Sequence, residues 1–122
     1  MARILIVDDD QRIVQLLSDW FKHAYAVDIA VNGGEALAIV RQQRPDLALL
    51  DIMLPGMRGI HLLKEIKRID PTIAVIMMTG NNNVGLAAET LENGAASYVL
   101  KPFNMPDLDR LVADVLTNRP PC

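Results

Sequence analysis

Residues 3–10 read Arg3-Ile4-Leu5-Ile6-Val7-Asp8-Asp9-Asp10: an apolar, largely β-branched run that stops without transition in three carboxylates. Such a run reads as a buried strand whose carboxyl end opens on a polar site. The same pattern recurs down the chain. Leu47-Ala48-Leu49-Leu50 stops at Asp51, residues 73–78 stop at Thr79-Gly80, and Ser97-Tyr98-Val99-Leu100 stops at Lys101-Pro102. Residues 25–31 form one further strand, which runs into Asn32-Gly33. Helical patterns fill the intervals. Ile13, Leu16, Leu17, Trp20 and Phe21 are spaced as one helix face, with Trp20 and Phe21 expected in the core. Asn32 and Glu35 bracket a capping box for a helix through Ala36, Leu37 and Val40. Leu62, Leu63, Ile66 and Ile69 make the next stripe, which ends near Asp70-Pro71. Asn81-Asn82-Asn83 offers N-caps for a helix over 84–91, closed by Gly94. Asn104 and Asp107 open a last helix with the stripe Leu108, Leu111, Val112, Val115 and Leu116.

The result is an α/β fold of five β–α units. Its strands are nearly continuous apolar runs, as they must be when helices cover both faces of a parallel sheet. At 122 residues and 51% hydrophobic composition, one domain with a full core is expected, here residues 1–117. Residues 118–122, with two prolines, read as a tail or the start of a linker, the latter implying one domain of a longer protein rather than a stand-alone chain. No apolar run approaches the roughly 20 residues of a membrane span, and the N-terminus lacks signal-peptide features. A cytoplasmic location is expected. The net charge of −3, with scattered bases, argues against direct nucleic-acid binding. A single cysteine, Cys122, leaves no disulfide framework or thiolate metal site.

In an open parallel sheet, ligands bind beyond the carboxyl ends of the strands, where the winding reverses. The strands deliver Asp8 and Asp9, Asp51, Thr79 and Lys101 to that edge. The second strand delivers only Val31 and Asn32, as an edge strand away from the site would. Three crowded carboxylates repel one another unless a cation intervenes, and a hard divalent ion such as Mg²⁺ suits oxygen donors. An accessible Asp beside such an ion can attack phosphorus. Lys101 then supplies a point charge, and Thr79 a hydroxyl, to the transferred group. Each residue taken alone has an ordinary reading: Asp10 as a helix cap, Thr79 as a strand-end hydroxyl, Lys101 as a surface cation. Their convergence on one edge is what favours a phosphoryl-binding site.

The segments Ile4-Leu5-Ile6-Val7-Asp8-Asp9-Asp10, Leu49-Leu50-Asp51-Ile52-Met53-Leu54-Pro55-Gly56, Met78-Thr79-Gly80 and Tyr98-Val99-Leu100-Lys101-Pro102-Phe103 resemble the four signatures of response-regulator receiver domains, in order and over essentially the whole chain. The resemblance implies a flavodoxin-like (βα)5 three-layer sandwich with a parallel sheet ordered 2-1-3-4-5. It implies that Asp51 is the phosphoacceptor for a sensor histidine kinase or phosphotransfer protein. It implies Mg²⁺ (or Mn²⁺) held by Asp8, Asp9, Asp51 and the backbone carbonyl of Met53, and phosphoryl oxygens bound by Thr79 and Lys101. Tyr98 would be the aromatic switch that turns inward with Thr79, and the Lys101-Pro102 bond would be cis. The output domain or partner protein would dock on the fourth helix, fifth strand and fifth helix, with phosphorylation-dependent dimerisation through the fourth and fifth units left open. A link to transcription regulation would lie in another domain.

The chain departs from the family pattern at Arg58, where Asp is common, and at Leu54, where Met is common. Met53 and Asn81 stand where the family tunes phosphoryl lifetime. His23 and His61 lack ligand-spaced partners and read as surface or packing residues. The helix over 84–91 is rich in small residues, including Gly85, and is expected to be weakly held and to shift with the fifth strand on phosphorylation. Three rival readings fit the residues less well. A dehalogenase-type phosphatase would need Thr or Val where Arg12 stands and leaves Asp51 idle. A flavin module would need a Ser/Thr-rich loop where three carboxylates stand. A receiver-like interaction module that works without phosphorylation would ordinarily have lost a pocket residue, and none is missing.

Overall fold

The computed structural model describes residues 1–80 and 84–118. Five strands, β1 (Arg3–Val7), β2 (Ala26–Ala30), β3 (Leu47–Asp51), β4 (Ala74–Thr79) and β5 (Ser97–Leu100), alternate with five helices. The helices are α1 (Gln11–Phe21), α2 (Gly33–Gln43), α3 (Gly59–Ile69), α4 (Val84–Glu92) and α5 (Met105–Asn118). All strand pairs are parallel, in the order β2-β1-β3-β4-β5. The flavodoxin-like topology implied by the resemblance is the one observed.

Strand alternation divides each apolar run between two cores. Leu5, Val7, Ala48, Leu50, Val75 and Met77 face α2 and α3, meeting Ala36, Val40, Leu62, Leu63 and Ile66. Ile4, Ile6, Leu47, Leu49, Ile76 and Met78 face α1 and α5, meeting Val14, Leu17, Phe21, Leu108 and Val112. The central strands β3 and β4 are buried along their whole length, whereas β2 and β5 are partly exposed edges. The edge position of β2 is why it brings no polar residue to the site.

The helix boundaries follow their caps. Asp10 accepts from the Arg12 amide at 2.9 Å, and that bond holds its carboxyl below the usual carboxylate range. Asn32 accepts from the Glu35 amide at 2.9 Å, while Glu35 reaches back to the Val31 amide rather than to that of Asn32. Asn104 accepts from the Asp107 amide at 3.1 Å. Gly94, at φ +102, turns the chain after α4. The proposed caps Asn81, Asn82 and Asn83 lie outside the described residues, as do residues 119–122; Asn118 belongs to the last turn of α5.

One expectation needs correcting. Trp20 is not a core residue: it is 41% exposed and Leu16 is 50% exposed. The apolar stripe of α1 is wider than the arc that faces the sheet, in which Val14, Leu17 and Phe21 are buried and Ile13 is partly buried. Trp20 lies on the flank, where its indole N–H donates to the Asp109 carboxylate of α5 at 3.0 Å. His23 and His61 are exposed, as expected.

Candidate functional site

The carboxyl ends of β1, β3, β4 and β5 meet at one edge, beside the point where the winding passes from β2 across β1 to β3. Asp8 directly follows β1 and is fully buried. Its backbone amide continues the ladder to Ala30 O, and its side chain is held from two sides. One oxygen accepts from the Asp10 amide at 2.9 Å and the other from Lys101 Nζ at 2.7 Å. Asp51 ends β3 and is nearly buried. Its Oδ1 accepts from the Met53 amide at 3.1 Å, and its Oδ2 lies 3.5 Å from Lys101 Nζ. Asp9 is exposed, yet one oxygen from each of Asp8, Asp9 and Asp51 falls within 4.8 Å of the others.

Thr79, buried at the end of β4, is tied to the lysine through the backbone: Lys101 N donates to Thr79 O at 2.7 Å. The Lys101-Pro102 peptide is cis, as expected. Tyr98, two residues before the strand end, is 38% exposed with its ring on the surface of β5.

The electrostatics follow from this burial. Loss of water raises the Asp51 carboxyl to about 6; the Met53 amide pulls it down, Asp8 pushes it up, and Lys101 pulls it down again. Burial also works against the charge on Lys101, but its bond to Asp8 and the nearby Asp51 outweigh this and raise its proton affinity. The site thus holds one lysine against at least two carboxylates, with an exposed third beside them, and has a net demand for positive charge. Hard oxygen donors at this spacing fit a divalent cation such as Mg²⁺.

Each of the five polar residues picked out at strand ends is brought to the site: Asp8, Asp9, Asp51, Thr79 and Lys101. Asn81 lies outside the described residues. Two contributions were not legible in the sequence. One is the Met53 amide as donor to Asp51, because backbone donors leave no residue-type signature. The other is the Asp10 amide as donor to Asp8.

The comparisons with known proteins agree with this geometry. Residues 4–113 match the model of the response regulator receiver domain. The chain is 45% identical over 107 residues to sporulation initiation phosphotransferase F of Bacillus subtilis, covering 87% of this chain and 86% of that protein. It is 41% identical to the transcriptional regulatory protein ZraR of Klebsiella oxytoca and 38% identical to the DNA-binding response regulator MtrA of Mycolicibacterium smegmatis. It covers 26% and 46% of those longer proteins, with 94% and 87% of this chain aligned. Among solved structures, the CheY-like receiver domain protein of Methanospirillum hungatei JF-1 superposes with a TM-score of 0.92 at 36% identity, covering 96% of this chain and 94% of that one. This chain belongs to the response regulator receiver domain family and is a receiver domain of the two-component signalling type.

Proposed function

We propose that Asp51 is the phosphoacceptor. Its carboxylate attacks the phosphorus of a phosphohistidine on a sensor histidine kinase or phosphotransfer protein. The P–N bond breaks, an acyl phosphate forms on Asp51, and the imidazole leaves. Asp8, Asp9, Asp51 and the Met53 carbonyl would hold Mg²⁺, or Mn²⁺ in its place. A bound ion supplies positive charge beside the phosphoryl oxygens. Lys101 then trades part of its contact with Asp8 for a phosphoryl oxygen, and the Thr79 hydroxyl donates to another. Tyr98 moves from its exposed position toward the space that Thr79 vacates, and the change reaches the face formed by α4, β5 and α5. An output domain or partner protein docks there, or a second copy in a phosphorylation-dependent dimer. In this reading the chain is no enzyme toward other substrates and only assists its own phosphorylation and dephosphorylation. It works in the cytoplasm, with residues 1–117 as the receiver and the output elsewhere.

The observation that carries the reading is the Lys101 ammonium set between Asp8 and Asp51 at 2.7 and 3.5 Å, on the edge that also holds Thr79. The test is intact-mass measurement after incubation with Mg²⁺ and acetyl phosphate. A labile gain of one phosphoryl group is expected, dependent on Mg²⁺ and absent in Asp51→Asn. No gain from acetyl phosphate or from histidine kinases would favour a module that signals without phosphorylation.

A further inference from the structure

Gly59 opens α3, and it is buried. A Cβ at this position would lie 2.5 Å from Asp51 O, 2.6 Å from Ile52 Cα and 2.8 Å from Ile52 O. All three are backbone atoms, so no rotamer change relieves the clash. The Gly59 amide also donates to Ile52 O at 2.9 Å. The first turn of α3 is therefore laid directly against the backbone of Asp51, which carries the acceptor carboxylate, and of Ile52.

Both sides of this contact are held firmly. Asp51 pairs with Met78 in the sheet, and the Ile52 amide donates to Met78 O at 2.9 Å. On the other side, α3 is anchored by buried Ile60, Leu62, Leu63 and Ile66. Next along the chain, Met53 is 68% exposed, and its amide orients the Asp51 carboxylate. A displacement at Gly59 would therefore be passed on to Met53.

We infer that Gly59 is a positioning residue for phosphoryl transfer: the missing side chain sets the path of Asp51-Ile52-Met53, and so aims the acceptor carboxylate and the Met53 carbonyl. The inference rests on the phosphoacceptor reading above and deepens it.

Two other glycines serve as controls. Gly56 sits at φ +77 with nothing within 4 Å of a Cβ, so Gly56→Ala strains the turn without pushing on the acceptor. A Cβ on Gly33 would meet Met57 Sδ at 2.5 Å, but that neighbour is a flexible side chain that can yield.

The experiment measures Mg²⁺ affinity, the acetyl phosphate reaction rate at saturating Mg²⁺, and melting temperature for the wild type and the three alanine variants. Gly59→Ala is expected to lose about tenfold or more in both Mg²⁺ affinity and rate. Gly56→Ala and Gly33→Ala should stay within about twofold, whatever their melting temperatures. Gly59→Ala within twofold of the wild type, or a loss in all three variants that tracks melting temperature, overturns the inference. Should Gly59→Ala not fold, amide exchange in the wild type decides: Gly59 and Met53 must gain protection together as Mg²⁺ is added, and an unchanged Gly59 amide overturns the proposal. A wild type that takes no phosphoryl group from acetyl phosphate or from histidine kinases refutes the phosphoacceptor reading. The effect of Gly59→Ala on Mg²⁺ affinity still decides whether Gly59 sets the path.

Discussion

Lys101 is bonded to Asp8, at 2.7 Å, more closely than to Asp51, at 3.5 Å. Asp8 has no exposed surface, so the lysine is the charge that makes its burial tolerable. Removing one partner of a buried pair leaves the other uncompensated, which costs far more than the pair itself contributes. Lys101→Ala is expected to destabilise the fold by roughly 2–3 kcal/mol without metal, the lysine being partly exposed. Millimolar Mg²⁺ should recover part of that loss by replacing the missing charge. Denaturant unfolding with and without Mg²⁺ checks this, and a loss of equal size in both would mean that no cation reaches Asp8.

Asp51 links pH to stability. Its carboxyl is raised from 3.8 to about 6, so between those values the folded state binds a proton that the unfolded state has released. The stabilisation it contributes is complete below about pH 4 and is lost as pH rises through about 6. Other carboxylates titrate in the same range, so the informative quantity is the difference between the wild type and Asp51→Asn. Without metal, the variant is expected to be about 3 kcal/mol more stable at pH 7, with the gap closing toward pH 4. Urea unfolding across this range tests it; a gap that does not change with pH would refute the assigned ionisation.

The helix α1 shows where sequence reading reached and where it stopped. Strand ends were legible because an apolar run that breaks at a charged or hydroxyl residue is an abrupt signal, as at Val7-Asp8 and Leu50-Asp51. The caps at Asp10, Asn32 and Asn104 were equally local. The width of a buried helix face is not local. It depends on how close the neighbouring helix stands, and here α5 leaves Trp20 on the rim. Phe21→Ala should therefore cost about 3–4 kcal/mol, as for a fully buried aromatic, whereas Trp20→Ala should cost under about 1.5 kcal/mol. Thermal or denaturant unfolding of the two variants separates them, and equal losses would return Trp20 to the core. Gly59 was illegible for a related reason: in the sequence it is loop punctuation, and only the packing of α3 on Ile52 reveals what its missing side chain avoids.

Backbone contacts link the site to the exposed edge strand. Lys101 and Thr79 are joined by a backbone hydrogen bond, and Leu100 is paired with Thr79 in the register of β4 and β5. A movement of Thr79 toward a phosphoryl group would therefore act on β5 directly. As an edge strand, β5 has only one neighbour to hold it, and Tyr98 and Leu100 already stand 38% and 42% exposed. The adjoining α4 is the shortest helix among the described residues and carries Gly85 in its first turn, which weakens it intrinsically. Elements of low local stability are the ones that rearrange at least cost. Phosphorylation is expected to change amide exchange in α4 and β5 several-fold while leaving β1 and β3 unchanged. Hydrogen exchange read by mass spectrometry, with Asp51→Asn as the reference, makes the comparison. A response confined to the loops around Asp51 would show that the signal stops at the site, and a uniform response would point to global stabilisation rather than a switch.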